Sequence, residues 1–181
     1  MLDVQTCRVT LQDSMTLELL TERVKSVRDG MSALIGGVLQ QHEQDIIEYQ
    51  RIQLLEGHNS DGNDIHPFYS EDLKPNGYFK SKESAGRYAA WKEGIDYPYT
   101  VSRNHDAPNL YITGRFHDEL GVKFNADSVE IVPKTSYAGG IMAKYGRNAF
   151  GLSMAKWNEL FAERNIKDEI IQNFKKQIYG N

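Results

Sequence analysis

Two histidines and two carboxylates lie close together in the sequence and are candidates for a metal site. His58 and His66 flank an acidic turn that contains Asp61 and Asp64, and imidazole and carboxylate groups are common metal ligands. The spacing argues against such a site, because no two of the five histidines are four residues apart and no HExxH motif occurs. We therefore interpret the segment as a solvated turn. A small metal-dependent hydrolase using His58, His66 and Asp61 remains as an alternative.

Other catalytic motifs are missing from the sequence. Cys7 has no histidine near it, and no GxSxG nucleophile elbow occurs. Gly139 and Gly140 precede Lys144 but do not form the GxxxxGK[ST] pattern that binds phosphates. We therefore predict that the chain is not an enzyme, with no catalytic, cofactor-binding or metal-binding residues.

The composition is typical of a folded domain in a reducing compartment. The 181 residues are 40% hydrophobic and 25% charged, with a formal net charge of −4. That charge lacks the basic excess expected of a protein that binds nucleic acid through its net charge. The single cysteine excludes an intramolecular disulfide bond. No apolar stretch approaches the roughly 20 residues of a membrane-spanning helix, so we expect synthesis in the cytoplasm and no membrane partner.

Residues 16–56 have the periodicity of a long amphipathic helical region. Apolar side chains recur at alternating spacings of three and four residues, which places them on one helix face: Leu17, Leu20, Val24, Val27, Met31, Leu34 and Val38. Gly36 and Gly37 interrupt this seam, and we predict a kink or a close helix contact there. The seam packs either on the chain's own core or against an equivalent helix of a neighbouring subunit. Residues 1–15 are predicted to form an N-terminal arm or a short strand.

Residues 57–181 form the rest of the predicted domain. Their first part is predicted to contain little regular structure. Residues 57–64 are rich in turn-forming types. The aromatic stretch that follows is expected to form one short helix, from Ser84 to Glu93. This helix carries Tyr88 and Trp91 on a shared face.

Strands and then helices are predicted after residue 109. Alternating apolar residues indicate strands at 110–116, 120–124 and 129–131, with a helix over Gly114 to Leu120 as an alternative to the first. Breaks are expected at Gly139-Gly140 and at Gly146, before helices over residues 152–179 that begin with Ser153 as a cap. The predicted fold is one α+β domain: a small antiparallel β-sheet flanked by helices, with a long N-terminal amphipathic helix.

A series of short motifs between Gln53 and Leu160 occurs in a recognisable order. The motifs are Gln53-Leu54, Gly57, Asp61-Gly62, Tyr69-Ser70 and Trp91-Lys92, then LYITGRFHD from Leu110 to Asp118 and YGRNAFGLS from Tyr145 to Ser153. In this order they resemble the virion-morphogenesis or minor-tail (tail-completion, neck) proteins of tailed bacteriophages. Gly114, Phe116, Gly151 and Leu152 are predicted to be structural residues, since glycine permits a positive φ and Phe116 inserts into the core.

The resemblance implies a structural protein of the virion, a neck or head–tail connector or tail-completion subunit that forms a homo-oligomeric ring in viral assembly. Its implied partners are copies of itself and neighbouring neck, portal or tail proteins. DNA in the lumen would be contacted without sequence specificity. We predict that seven residues form the subunit interface: Leu17, Leu20, Val24, Val27, Met31, Tyr88 and Trp91. A non-viral adaptor module that dimerises through its N-terminal helix is the alternative.

Overall fold

The computed structural model describes residues 16–180, which contain eight α-helices, one 3-10 turn and two β-strands. In chain order they are α1 (Leu17–Asp29), α2 (Met31–Gln41), α3 (Glu43–Glu56), α4 (Lys82–Glu93), α5 (Arg115–Asp118), β1 (Leu120–Phe124), β2 (Val129–Pro133), α6 (Ala138–Tyr145), the 3-10 turn (Arg147–Ala149), α7 (Met154–Glu163) and α8 (Ile166–Tyr179). The predicted α+β class is confirmed. The arm or strand predicted at residues 1–15 lies outside the described residues.

The N-terminal helical region consists of three helices joined by bends. Thr16 begins α1, because its hydroxyl oxygen accepts a hydrogen bond from the backbone N–H of Leu19 at 3.2 Å and so satisfies one of the free donors of the first turn. The bends lie at Gly30 and His42, where the chain leaves helical geometry for a single residue.

The kink predicted at Gly36-Gly37 is wrong, because both glycines lie inside α2, and the alternative of a close helix contact is wrong as well, since no heavy atom of another described element lies within 4 Å of a Cβ placed on either glycine. A glycine within a helix costs about 1 kcal/mol relative to alanine. The next two residues, Val38 and Leu39, are buried in the main core. Burial of two such side chains contributes about 3 kcal/mol or more, which outweighs the cost of the glycines.

The main core forms around α3. Ile46 and Leu54 on this helix are fully buried, and they pack in one cluster with Leu120 of β1, Leu160 of α7 and Ile166 at the start of α8. Helix α3 therefore lies between the sheet and the C-terminal helices. It ends at Gly57, whose φ of 83° closes the helix in the left-handed conformation that favours glycine.

The sheet is a two-stranded antiparallel hairpin. Strands β1 and β2 pair with Val122 opposite Ile131, and Asn125 closes the turn through a backbone hydrogen bond to Ser128 at 2.9 Å. The two strands predicted around residues 120–124 and 129–131 are thus confirmed.

The strand predicted over residues 110–116 is wrong, and the helical alternative is nearer to the structure. Leu110 and Gly114 have φ angles of 52° and 83°, which an extended strand cannot contain. Helix α5 then begins at Arg115. The short turn directs Phe116 into the core, where it is 5% exposed.

Helix α6 contains Gly139 and Gly140, so the break predicted at this pair is wrong, and it ends at Gly146 with a φ of 83°. Ser153 begins α7 as predicted, with its hydroxyl accepting a hydrogen bond from the N–H of Lys156 at 3.3 Å. Arg164 and Asn165 join α7 to α8, and Asn165 has a positive φ of 54°. Helix α8 then packs against α1 and α2.

Candidate subunit interface

An apolar stripe runs along the exposed face of α1 and the start of α2. Its members are Leu17, Val24 and Met31, which are 79%, 47% and 39% exposed. Leu17 and Val24 are seven residues apart on α1, which places them on nearly the same helix face, and Met31 follows them after the bend at Gly30. Apolar residues at this spacing are typical of a helix that contacts another helix.

The neighbouring face of α1 packs within the chain. Val27 is 5% exposed and Leu20 is half-buried on the side that faces α8. The Arg23 guanidinium donates a hydrogen bond to the backbone carbonyl of Ile178 at 3.1 Å, which joins the end of α8 to the middle of α1. Val27 is therefore packed mainly within the chain, and its part in a subunit interface stays a prediction.

A second exposed surface lies around α4, and we call it the aromatic surface: Tyr78, Tyr88 and Trp91. Phe79 links two of them, with its ring centroid 5.1 Å from that of Tyr78 and 5.2 Å from that of Tyr88. The ring centroids of Tyr88 and Trp91 are 5.5 Å apart. Tyr78 and Trp91 are exposed, whereas Tyr88 is half-buried against the small core of Tyr69, Phe79 and Ala85. Tyr78 is not among the predicted interface residues, although it continues the same surface.

The start of α4 is fixed by a reciprocal cap. The hydroxyl of Ser81 accepts a hydrogen bond from the N–H of Ser84 at 3.2 Å, and the hydroxyl of Ser84 accepts one from the N–H of Ser81 at 3.0 Å. The aromatic surface is therefore presented by an ordered helix. It belongs to a different part of the fold from the apolar stripe, because its rings pack on the small core and α1 packs on α8 and α2.

Two buried glutamines of α3 hold the loop that contains the Gly151-Leu152 motif. The side-chain oxygen of Gln50 accepts a hydrogen bond from the N–H of Gly151 at 2.9 Å. The side chain of Gln53 donates to the carbonyl of Gly151 at 2.8 Å and accepts from the N–H of Ser153 at 2.8 Å. Leu152 is buried in the main core. The motif thus joins α3 to the start of α7 and has no free reactive group.

Gly114 and Phe116, like the Gly151-Leu152 motif, have a structural role. Gly114 precedes α5 with its φ of 83°, and a Cβ atom placed there would lie 3.2 Å from the Tyr111 hydroxyl. Phe116 packs within 5.9 Å of the Phe150 ring and 6.1 Å of the Tyr137 ring, measured between centroids. These residues shape the fold around α5.

The candidate metal ligands belong to three different pairs. His58 lies 3.4 Å from a carboxylate oxygen of Asp64, and His66 lies 3.1 Å from one of Glu71. Asp61 accepts a hydrogen bond from the amide of Asn148 at 3.3 Å. Within residues 16–180, no group of three or more His, Cys, Asp or Glu side chains is arranged to hold a metal ion.

The structure buries two ionisable side chains that the sequence analysis did not identify as candidate site residues. Lys92 is 1% exposed and His117 is 2% exposed. Burial lowers the pKa of Lys92 to about 7 and that of His117 to about 4. The one sequence signal is that Lys92 lies four residues after Tyr88 and so shares its inward helix face.

None of the helices in the described part of the chain is long and apolar enough to cross a membrane. Comparison of the chain with models of protein families, with curated proteins and with solved structures gives no match. The bacteriophage resemblance therefore depends on the sequence motifs alone.

Proposed function

We propose that the chain is a structural component of a tailed-phage virion, a neck, head–tail connector or tail-completion ring subunit that acts in virion assembly. The observation that carries the proposal is the apolar stripe of Leu17, Val24 and Met31. It remains exposed on a helix whose neighbouring face already packs on α8. The order of the sequence motifs is the second support.

Two separate surfaces fit the geometry of a ring. A ring forms by head-to-tail contacts, in which one patch of each subunit meets a different patch of the next. The apolar stripe and the aromatic surface are two such patches, on α1–α2 and on α4. Ring closure then lets each subunit use both patches at once.

The binding free energy expected from the apolar stripe favours a closed ring over a stable dimer of two subunits. Fully burying a Leu, Val or Met side chain contributes about 1.5–3 kcal/mol, and these three are already partly buried, so the stripe supplies about 2–5 kcal/mol. Association itself costs about 4–15 kcal/mol in lost freedom. One contact is therefore marginal, and a closed ring stabilises it because each subunit is held on two sides.

The alternative is an adaptor module that dimerises through its N-terminal helix. The same stripe favours it, because apolar residues spaced by seven also pair with their own copy in a two-fold contact. The aromatic surface has no role in that arrangement. Substitution of Trp91 therefore separates the two proposals: Trp91→Ser weakens a ring and leaves a two-fold dimer unchanged.

Removing the stripe tests the proposed contact. We expect the variant Leu17→Ser/Val24→Ser/Met31→Ser to weaken self-association by about a hundredfold or more, since each residue loses about 1 kcal/mol or more of burial energy. Sedimentation velocity over a concentration series measures the change.

The matched control variant is Ile112→Ser/Met154→Ser/Ile171→Ser, which removes three apolar side chains that are 55%, 74% and 37% exposed but lie on other elements. This variant should associate like the unmodified chain. Equal association of the unmodified chain and the stripe variant would refute the role of the stripe.

A further inference from the structure

A cavity of about 400 Å³ lies beneath α4, between the loop at residues 108–114 and helix α6. We call it the Lys92 cavity. Five tyrosines and the buried lysine form much of its wall: Tyr69, Tyr88, Tyr111, Tyr137, Tyr145 and Lys92. Apolar side chains such as Leu110 and Ile141 complete the lining. A largely apolar cavity with a few converging polar groups is typical of a small-molecule site.

Lys92 is the one residue among those lining the cavity that carries a positive charge, and no Asp or Glu is among them. Its amine donates a hydrogen bond to the backbone carbonyl of Tyr111. An ammonium group has three N–H donors, and within residues 16–180 this carbonyl is its one hydrogen-bond acceptor. The other two N–H donors have no acceptor among the described residues.

The groups around Lys92 leave its charge without close compensation. Burial, and then repulsion from Arg103, lower its pKa to about 7, and attraction to Glu93 opposes this only in part. Arg103 itself is paired with Glu93.

Three tyrosines of the cavity wall and the neighbouring His117 are neutral near pH 7. Burial raises the pKa of Tyr69, Tyr88 and Tyr145, so their hydroxyls stay protonated. His117 is also neutral, because burial lowers its pKa to about 4. The nearby carboxylate of Asp72 already pairs with Lys144.

We propose that the Lys92 cavity binds a small organic acid, with its carboxylate on the Lys92 amine and its apolar or aromatic body against the tyrosine rings. One cation matches the single charge of a carboxylate, whereas a phosphate dianion would leave one negative charge uncompensated in the cavity. Aromatic rings pack favourably against one another edge-on or offset. The cavity shares no residue with the apolar stripe, and Tyr88 is the one residue that it shares with the aromatic surface.

Binding of a carboxylate is coupled to proton uptake by Lys92. The bound negative charge favours the ammonium form, so it raises the pKa of Lys92 above its value in the free protein. Below pH 7 the amine is already charged and binding takes up little proton. Above pH 7 each binding event takes up one proton, and the affinity falls by up to about tenfold for each pH unit.

Calorimetric titration of the purified chain with 3-phenylpropionate tests the proposal. We expect the acid to bind at about pH 6 and its uncharged analogue 3-phenylpropionamide to bind at least about tenfold more weakly, a difference of about 1.4 kcal/mol. At about pH 8.5 the affinity for the acid should be about tenfold lower or more. Equal binding of acid and amide, binding that does not depend on pH, or no binding of the acid would each overturn the proposal.

Two variants locate the site. Lys92→Met removes the charge and keeps the length of the side chain, and it should abolish the preference for the acid over the amide. Ile112→Trp enlarges a half-exposed residue of the cavity wall without changing Lys92, and it should weaken binding of the acid by about tenfold or more. The matched control is Ile171→Trp on α8, outside the cavity lining, which should bind like the unmodified chain.

The substitutions also distinguish the two proposals. If Lys92→Met does not fold, the Ile112→Trp variant still tests whether the acid binds in the Lys92 cavity. Unchanged binding of the acid by that variant would show that the acid binds elsewhere and would overturn the proposal. Acid binding by a chain that never forms rings would contradict only the proposed function. Rings without acid binding would contradict only the cavity proposal.

Discussion

His117 is an ionisable side chain held inside the protein in its neutral form. Its Nε2 atom lies 3.0 Å from the carbonyl oxygen of Asn109, so this nitrogen carries the proton and donates it. Burial is the largest cause that lowers its pKa from 6.5 to about 4, and the charges of Arg51 and Lys92 add to it. The unfolded chain therefore binds a proton at this residue before the folded chain does.

This difference predicts a loss of stability in acid. The folded-state pKa is depressed, so the contribution of His117 is complete above pH 6.5 and is lost as the pH falls from 6.5 towards 4. We expect His117→Gln, which keeps a donor and cannot titrate, to remove about 3 kcal/mol of the decrease in unfolding free energy between about pH 7 and about pH 4. Urea unfolding across this range measures it, and equal acid sensitivity in both proteins would refute it.

The residue types alone did not indicate that Lys92 and His117 are buried. Lysine and histidine are usually placed at the surface, because burying a charge is costly. Both side chains are covered by the loop at residues 108–114, where Lys92 donates to the carbonyl of Tyr111 and His117 to that of Asn109. By contrast, the burial of Phe116 was predictable, since a large apolar ring has no other favourable place.

At the scale of elements, glycines act in two opposite ways. Gly114 has a φ of 83° and would place a Cβ atom 3.2 Å from the Tyr111 hydroxyl, whereas Gly37 lies inside α2 with no heavy atom within 4 Å of a Cβ. The first glycine is required by the backbone of its turn. The second lies in an ordinary helix that any residue can adopt.

Alanine substitutions should therefore have opposite effects at the two positions. We expect Gly114→Ala to lower the unfolding free energy by about 1–2 kcal/mol, the cost of a left-handed conformation for a residue with a Cβ atom. We expect Gly37→Ala to raise it by up to about 1 kcal/mol. Denaturant unfolding of both variants provides the comparison, and destabilisation by Gly37→Ala would show that α2 requires the glycine.

The elements with clear periodicity were predictable from the sequence, and the exact breaks between them were not. The hairpin of β1 and β2 and helix α4 follow from local alternation and spacing. The bends at Gly30 and His42, and the helical course through Gly36-Gly37 and Gly139-Gly140, depend on packing against other parts of the chain. A single glycine is too weak a signal to decide where a packed helix ends.

For the whole molecule, the apolar seam of residues 17–38 divides into a packed part and an exposed part. Val27 and Val38 are buried, while Leu17, Val24 and Met31 stay exposed as the apolar stripe. The sequence left packing on the chain's own core and contact with another subunit as two alternatives. Along α1 and α2 some side chains of the seam are buried in the chain and others are exposed. Which side chains remain exposed depended on where α8 packs, and periodicity does not give that position.

Electron microscopy of the purified chain, alone and mixed with a portal protein of a tailed phage, tests the proposed assembly most directly. We expect closed rings of one defined size, and the bacteriophage resemblance implies about six or twelve copies with head-to-tail contacts. The stripe variant Leu17→Ser/Val24→Ser/Met31→Ser should give no rings. Particles that are strictly monomeric in both samples, or two-fold dimers of fixed size, would contradict a ring subunit.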